Sequence, residues 1–161
     1  MALEPGRQAP DFSLQAALDG RIEKRPATLR GYRGKALVLV FYPADWSPVC
    51  SDQLPIYNEL LAELRGLGAE VAGLSVDGIW CHRAFGLDRN LHYPLLADFE
   101  PKGEIARAYG VHRAKDGFSE RALFVVDDAG TIFWSYVSPL EVNPGADGIL
   151  DALERLQARN Q

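Results

Sequence analysis

Cysteine is scarce in this chain, with Cys50 and Cys81 as the only thiols among 161 residues. Two cysteines cannot supply the disulfide framework of a small secreted scaffold, and a separation of 31 positions matches no zinc-ligand pair. Basic residues are also in deficit, with 17 Lys and Arg against 22 Asp and Glu, which is the reverse of what a nucleic-acid-binding chain carries. No phosphate-binding or dinucleotide-binding glycine pattern occurs. These exclusions leave an acidic protein with two isolated thiols.

Long apolar runs are absent as well. The longest run, at residues 36–42, is far too short to cross a membrane, and residues 1–10 lack the apolar stretch of a secretion signal. We therefore expect a cytoplasmic protein, where thiols are kept reduced and a reversible disulfide is usually catalytic or sensory. With 47% hydrophobic and 24% charged residues, the sequence predicts a single domain over residues 1–161 with a buried core.

The order of predicted elements is typical of an α/β protein. A weakly alternating segment at 12–29, interrupted by an Asp-Gly pair, predicts an N-terminal β-hairpin. Continuous apolar runs at 36–42 and 69–76 predict buried parallel strands, and apolar spacings of three and four predict a helix at 50–67 between them. The sequence predicts a mixed central sheet flanked by helices. The other predicted elements are helices at 80–88, 104–109 and 148–156, an extended piece at 93–96, and paired strands at 121–126 and 131–137.

Cys50 lies where the first buried strand gives way, after a short loop, to a helix. A side chain in the first turn of a helix faces unpaired backbone N–H groups and the positive end of the helix dipole, so a thiolate there is stabilised relative to a thiol. Catalytic groups also gather at the carboxyl ends of parallel strands. The position of Cys50 does not by itself exclude an unreactive cysteine, because free cysteines are among the most buried residues.

The residues around Cys50 resemble the signature of the peroxiredoxin family. Pro43, Ser47 and Cys50 fit the pattern Pro, three residues, Thr or Ser, two residues, Cys, after a strand that ends in Phe41 and Tyr42. Three further motifs are similar to the family in the same order: GRQAPDFSL at 6–14, LSVD at 74–77 and YPLLAD at 93–98. RALFVVD at 121–127 resembles the strand that carries the family's active-site arginine. Within the family, the chain resembles the alkyl hydroperoxide reductase E type, with the bacterioferritin-comigratory type as neighbour.

The resemblance implies a thioredoxin-like fold and a thiol-dependent peroxidase. It implies that Cys50 attacks a hydroperoxide and becomes a sulfenic acid. In this reading Arg121 stabilises the thiolate and the leaving oxygen, Ser47 orients the peroxide, and Pro43 shields the sulfur from water. The resemblance also implies a homodimer and a thioredoxin-like or low-molecular-weight thiol reductant. No metal or other cofactor is expected, and neither nucleic acid nor a membrane is an expected partner.

Cys81 follows the second buried strand by a few residues, as Cys50 follows the first. If the two strands are parallel and joined by the helix between them, both cysteines lie beyond the same edge of the sheet. A disulfide needs Cα atoms within about 7 Å, so one or both helix starts must unwind to form it. We expect Cys81 to resolve the sulfenic acid. The alternative is a one-cysteine enzyme reduced by an external thiol, with Cys81 as a buried structural residue.

Two other functional classes stay open at this point. A cysteine hydrolase that uses His82 lacks a glycine-rich nucleophile elbow and an evident third group, so we expect His82 to be a polar helix residue. A non-enzymatic redox sensor of thioredoxin-like fold also fits, whereas a dithiol oxidoreductase lacks its Cys-x-x-Cys motif. Gln53 has no assigned role. Candidates for an apolar approach that admits organic hydroperoxides are Trp46, Trp80 and Phe85.

Overall fold

A seven-stranded mixed β-sheet forms the centre of the computed structural model, which describes residues 1–161. The strands are β1 (Ser13–Leu14), β2 (Ala16–Leu18), β3 (Arg21–Ile22), β4 (Ala27–Thr28), β5 (Ala36–Phe41), β6 (Ala69–Ser75), β7 (Leu95–Ala97), β8 (His112–Arg113), β9 (Phe118–Ser119), β10 (Arg121–Val126) and β11 (Ile132–Ser138). The helices are α1 (Pro48–Glu59), α2 (Leu61–Gly66), α3 (Ile79–Asp88), α4 (Glu104–Ala108) and α5 (Asp147–Arg159), with a 3₁₀ turn at Arg30–Tyr32. None of these helices combines the length and the apolar character that crossing a membrane requires.

The strand order in the large sheet is β11-β10-β5-β6-β7-β2-β3. Strands β5, β6 and β7 run parallel to one another, and β10 and β2 flank them in antiparallel orientation. The predicted mixed sheet and the predicted pairing of β10 with β11 are confirmed. Because β10 is antiparallel to β5, its first residue lies beside the carboxyl end of β5. The segments that follow β5 and β6 and the start of β10 therefore meet at one edge of the sheet.

Strand β5 has no exposed residue, as its continuous apolar sequence predicts for a central strand covered on both faces. Val38 and Val40 pack with residues of α1, α2 and α5 on one face of the sheet. The intervening residues pack with α4 and the N-terminal segment on the other face: Leu37, Leu39 and Phe41. Packing from both faces fixes the end of β5, and with it the start of the loop that leads to α1.

The predicted helix at 50–67 is wrong in one respect, because the structure has two helices there. Helix α1 begins at Pro48, whose missing N–H removes no hydrogen bond in the first turn, and the helical geometry is interrupted at Leu60, where ψ is 5°. The predicted N-terminal hairpin is present as β2 and β3, joined by a turn with positive φ at Asp19 and Gly20. The pairs β1–β4 and β8–β9 were not predicted, since strands of two residues are too short to show alternation.

Asp98 follows β7 and holds the start of α4. Its carboxylate oxygens accept hydrogen bonds from the backbone N–H groups of Ile105 (3.0 Å) and Ala106 (2.9 Å), which have no helical carbonyl to bind. Burial raises the pKa of this carboxyl, and the two hydrogen bonds oppose the shift.

We expect Asp98→Ala to lower the free energy of unfolding by about 2 kcal/mol, measured by urea denaturation, because both donors lose their partner. The exposed Asp128→Ala is the control, with an expected change below about 0.5 kcal/mol; equal losses in both variants contradict the capping role.

Candidate active site

Cys50 is the third residue of α1, where the helix presents backbone N–H groups without helical partners. Ser47 is the N-cap of this helix and Pro48 its first residue. Cys50 is 0% exposed and belongs to the apolar core on the α1 face of the sheet. The positive end of the helix dipole therefore acts on the sulfur in a setting from which water is excluded.

Arg121, the first residue of β10, reaches this sulfur from the neighbouring strand. Its Nη1 donates hydrogen bonds to Sγ of Cys50 at 3.1 Å and to Oε1 of Gln53 at 2.8 Å. Its Nε donates to the carbonyl oxygen of Leu140 at 2.9 Å. The side chain is only 3% exposed, and its contacts with Cys50 and Gln53 hold it against the start of α1. The structure thus brings together two of the residues that the sequence singled out.

The guanidinium of Arg121 has no carboxylate among its hydrogen-bond partners. It meets two neutral oxygens and one sulfur. A buried cation without a counter-ion is costly, whereas a paired and hydrogen-bonded one is tolerated. The thiolate form of Cys50 supplies the missing anion, and an N–H donated to it is a charge-assisted hydrogen bond. The geometry therefore favours a sulfur that is ready to act as a nucleophile.

Gln53 is a site residue to which the sequence assigned no role. Its Oε1 accepts from Arg121, and its Nε2 donates to the hydroxyl of Tyr57 at 2.8 Å, which in turn donates to the carbonyl oxygen of Gly145 at 3.0 Å. Burial raises the pKa of Tyr57 to about 12, with Gln53 and Arg121 opposing the shift, so the hydroxyl remains a donor at neutral pH. This series of hydrogen bonds fixes the guanidinium of Arg121. The three-residue spacing from Cys50, which places both side chains on one helix face, is the signal that predicts such a role.

Ser47 and Pro43 lie in the loop between β5 and α1. The Ser47 hydroxyl donates to the carbonyl oxygen of Ala44 at 3.0 Å and keeps its own lone pairs for another donor. Pro43 is buried directly after Tyr42. The Ser47 hydroxyl makes no hydrogen bond to Cys50. The roles of Ser47 and Pro43 toward a peroxide therefore stay predictions.

Trp46 is held in a strained backbone conformation within the same loop. Its φ of 69° lies in the left-handed region, which costs a residue other than glycine roughly 1 kcal/mol. The indole packs edge-on against Phe85 of α3, with ring centroids 5.1 Å apart, and the guanidinium of Arg89 lies over it. Trp46 and Phe85 thus form an aromatic pair beside the loop. Trp80 is 69% exposed and packs with Arg83 instead.

His82 lies in helix α3, as expected, and is buried there. Its Nδ1 lies 2.7 Å from Oδ2 of Asp45, and its Nε2 lies 2.9 Å from the carbonyl oxygen of Leu96. The other carboxylate oxygen of Asp45 accepts a hydrogen bond from the Tyr42 hydroxyl at 2.6 Å. Both ring nitrogens therefore already have oxygen partners, and neither is free to act as the base of a cysteine hydrolase. The partner Asp45 lies far away in sequence, so no local pattern predicts this pair.

Cys81 is the third residue of α3, the position that Cys50 occupies in α1. Its sulfur and one oxygen each of Asp45 and Asp77 all lie within 4.8 Å of one another. Burial and then the two carboxylates raise the pKa of the Cys81 thiol to about 11, and the indole of Trp46 opposes the shift. Asp45 and Trp46 belong to the loop that precedes Cys50. The segments that carry the two cysteines are therefore in contact, and both thiols are free.

Comparison with known proteins agrees with this geometry. A model of the AhpC/TSA family matches residues 5–135, which is most of the chain. The chain belongs to this family. It is 32% identical over 158 residues to peroxiredoxin 2 of Thermoplasma acidophilum, covering 94% of this chain and 75% of the relative. It is 33% identical over 164 residues to a thioredoxin peroxidase of Echinococcus granulosus, covering 98% and 83%.

The solved structure of Enterococcus faecalis AhpC matches this AhpC/TSA protein with a TM-score of 0.89 and 30% identity, covering 99% of this chain and 95% of that one. The protein is thus a peroxiredoxin with a thioredoxin-like fold, and an enzyme of the peroxidase class. The family and the fold expected from the motifs are confirmed. The narrower resemblance to the alkyl hydroperoxide reductase E type stays a prediction, because the matching structure is an AhpC.

Proposed function

We propose that this peroxiredoxin reduces hydrogen peroxide and organic hydroperoxides, with Cys50 as the peroxidatic nucleophile. The observation that carries the proposal is the 3.1 Å contact between Nη1 of the buried Arg121 and the Cys50 sulfur. A thiolate at a helix start is a nucleophile, and a guanidinium fixed beside it stabilises the thiolate. The same guanidinium can donate a hydrogen bond to the negative charge that develops on the leaving oxygen of the peroxide. The Cys50–Arg121 pair therefore provides both groups that peroxide cleavage requires.

In the first step, the Cys50 thiolate attacks the terminal oxygen of the hydroperoxide. The O–O bond breaks, and the sulfur takes the OH group and becomes a sulfenic acid. The other oxygen leaves as hydroxide or alkoxide and takes up a proton to give water or an alcohol. Arg121 stabilises the negative charge that develops on this leaving oxygen. Ser47 orients the peroxide, and Pro43 limits the access of water.

Substrate entry requires the loop at residues 43–49 to move, because Cys50 has no exposed surface. This loop carries the strained backbone of Trp46, and relief of that strain offsets part of the cost of opening. Trp46 is 48% exposed and packs on Phe85, so its displacement opens a route lined by aromatic carbon. Such a route suits organic hydroperoxides as well as hydrogen peroxide.

In the second step, the Cys81 thiol attacks the sulfenic sulfur of Cys50. A sulfur–sulfur bond forms, the sulfur–oxygen bond breaks, and water leaves, so that Cys81 is oxidised and Cys50 reduced. This role is supported by the contacts of Cys81 with Asp45 and Trp46, which belong to the loop before Cys50. Because both cysteines lie in the first turns of helices, one or both turns unwind to reach disulfide geometry.

A thioredoxin-like protein or a low-molecular-weight thiol completes the cycle by thiol–disulfide exchange. The name of the Echinococcus granulosus relative supports a reductant of the thioredoxin type. Reductants of both kinds keep thiols reduced in the cytoplasm, which is the location that we propose. The homodimer implied by the family resemblance stays a prediction.

We expect the Cys81→Ser variant to stop at the sulfenic acid. After one equivalent of hydrogen peroxide, non-reducing mass analysis of the unmodified protein should show the loss of two hydrogens and a Cys50–Cys81 bridge. The variant should instead gain one oxygen on Cys50. Turnover with a thioredoxin-type reductant should fall at least about tenfold, and the first reaction with peroxide should change by less than about threefold.

The exposed Ala84→Ser substitution in the same helix is the matched control and should form the bridge normally. An unmodified protein that accumulates oxidised Cys50 while Cys81 remains a free thiol would support the one-cysteine enzyme. A near-background reaction of Cys50 with peroxide in stopped flow would overturn the peroxidase itself and leave the redox sensor.

A further inference from the structure

The Cys81 thiol is surrounded by acidic groups that have no part in the attack on peroxide. The carboxylates of Asp45 and Asp77 both lie within 4.8 Å of its sulfur. Two carboxylates suppress a thiolate, yet the resolving step needs the thiol to lose its proton. This conflict indicates that one of the carboxylates takes part in that step.

Asp77 is placed to remain beside Cys81 when the Cys50 loop moves. It lies between β6 and α3, four residues before Cys81 in the same segment. Its Oδ2 accepts a hydrogen bond from the backbone N–H of Asp45 at 2.8 Å and one from the Ser75 hydroxyl. Its Oδ1 makes no hydrogen bond with the protein, so this oxygen has lone pairs for a further donor.

Asp45 also accepts a hydrogen bond from the Cys81 thiol, but it is less suited to that role. Both of its carboxylate oxygens are engaged, one by the Tyr42 hydroxyl at 2.6 Å and the other by Nδ1 of His82 at 2.7 Å. It also belongs to the loop that moves when Cys50 is exposed. The remaining polar neighbour, the indole of Trp46, is a donor and cannot accept a proton. Asp77 is therefore the better candidate, because it has a carboxylate oxygen without a hydrogen-bond partner and belongs to the same segment as Cys81.

We propose that Asp77 accepts the proton of Cys81 as that thiol attacks the Cys50 sulfenic acid, an inference that rests on the proposed resolving role of Cys81. The Cys81 S–H bond breaks and its proton passes to the carboxylate, while the sulfur's electron pair forms the bond to Cys50. The sulfur–oxygen bond of the sulfenic acid breaks at the same time. The departing hydroxide takes up the proton that Asp77 holds and leaves as water, which restores the carboxylate.

The acid–base properties of the two groups fit this transfer. With the thiol pKa raised to about 11, only about one Cys81 in ten thousand is a thiolate at pH 7 without help. Burial, and next the charge of Asp45, raises the pKa of Asp77 above that of an ordinary carboxyl; the hydrogen bonds from Ser75 and the Asp45 N–H and the charge of His82 oppose the shift. A carboxylate with a raised pKa is a better proton acceptor near neutral pH.

The test is the Asp77→Asn variant, whose amide oxygen can still accept from the backbone N–H of Asp45. Rapid mixing with one equivalent of hydrogen peroxide, followed by acid quench and non-reducing mass analysis, measures the disulfide step separately from the oxidation of Cys50. At pH 7 the disulfide step should slow by about tenfold to a hundredfold, with the oxidation of Cys50 unchanged within about threefold. The variant's rate should rise with pH from 7 to 9, whereas that of the unmodified protein should stay nearly flat.

A second measurement separates proton acceptance from simple repulsion of the thiolate. In a Cys50→Ser background, alkylation of Cys81 by iodoacetamide should become faster with Asp77→Asn, because removal of the charge lowers the thiol pKa. Asp77→Glu, which keeps a carboxylate, should recover part of the disulfide rate. The exposed Asp88→Asn in α3 is the matched control and should alter neither rate.

A disulfide step in Asp77→Asn that is as fast as, or faster than, that of the unmodified protein would overturn this inference, while the disulfide itself would still support the proposed cycle. No Glu rescue, or a slow step that stays flat with pH, would also overturn it. Absence of the disulfide in the unmodified protein would remove the resolving role and this inference together.

Discussion

Replacing Cys50 with serine is expected to lower the rate of peroxide reduction by about four orders of magnitude or more. The serine hydroxyl stays protonated at neutral pH and does not take up an oxygen atom as sulfur does. The substitution also removes the sulfur that Nη1 of the buried Arg121 contacts at 3.1 Å. Stopped-flow mixing with hydrogen peroxide at pH 7 measures the first step, and peroxide consumption with a thiol reductant measures turnover.

The Cys81→Ser variant is the matched control, since it replaces the other thiol in the same position of another helix. It should keep the rate of the first step, whereas Cys50→Ser should lose it. Serine is close to cysteine in size, so the folded state should survive with a loss in unfolding free energy of no more than about 2 kcal/mol. A Cys50→Ser protein that retains more than about a hundredth of the rate would show that another group attacks the peroxide.

Much of the fold was predictable because its central strands are long and apolar. The buried runs that became β5 and β6 predicted parallel strands, and the segment between them predicted the helical crossover that puts both cysteines at one edge of the sheet. The break at Leu60 and the two-residue strands escaped prediction. A helix break depends on how each part packs against the sheet, and two residues show no periodicity.

Some residues of the candidate site were predicted from local sequence signals, and others act through contacts that only the folded chain brings together. Cys50 was predicted from its place after a strand, and Arg121 from a motif that resembles the family. The hydrogen-bonded pair of Asp45 and His82 joins residues 37 positions apart, and no local sequence pattern predicts it. Gln53 is an intermediate case, because its spacing from Cys50 was visible whereas its contact with Arg121 required the pairing of β10 with β5.

Arg121→Met is expected to lower the rate of the first step by about a hundredfold to a thousandfold. Methionine fills a similar volume in this buried position but removes the charge and all three hydrogen bonds, to Cys50, Gln53 and the Leu140 carbonyl. Two effects add in the same direction, since the thiolate loses its charge-assisted donor and the leaving oxygen loses its stabilising cation. Stopped-flow rates over a range of hydrogen peroxide concentrations measure the loss.

Arg121→Lys tests whether charge alone is sufficient. A lysine ammonium keeps the positive charge but cannot span a sulfur, an amide oxygen and a carbonyl oxygen with the planar geometry of a guanidinium, so we expect it to recover only part of the rate. Arg113→Met is the matched control, because that arginine pairs with Asp116 and Glu120 near the surface and should leave the first step unchanged. If Arg121→Met retained more than about a third of the rate, the 3.1 Å contact would be structural. If Arg121→Lys restored the full rate, the positive charge would matter and the fork geometry held by Gln53 would not.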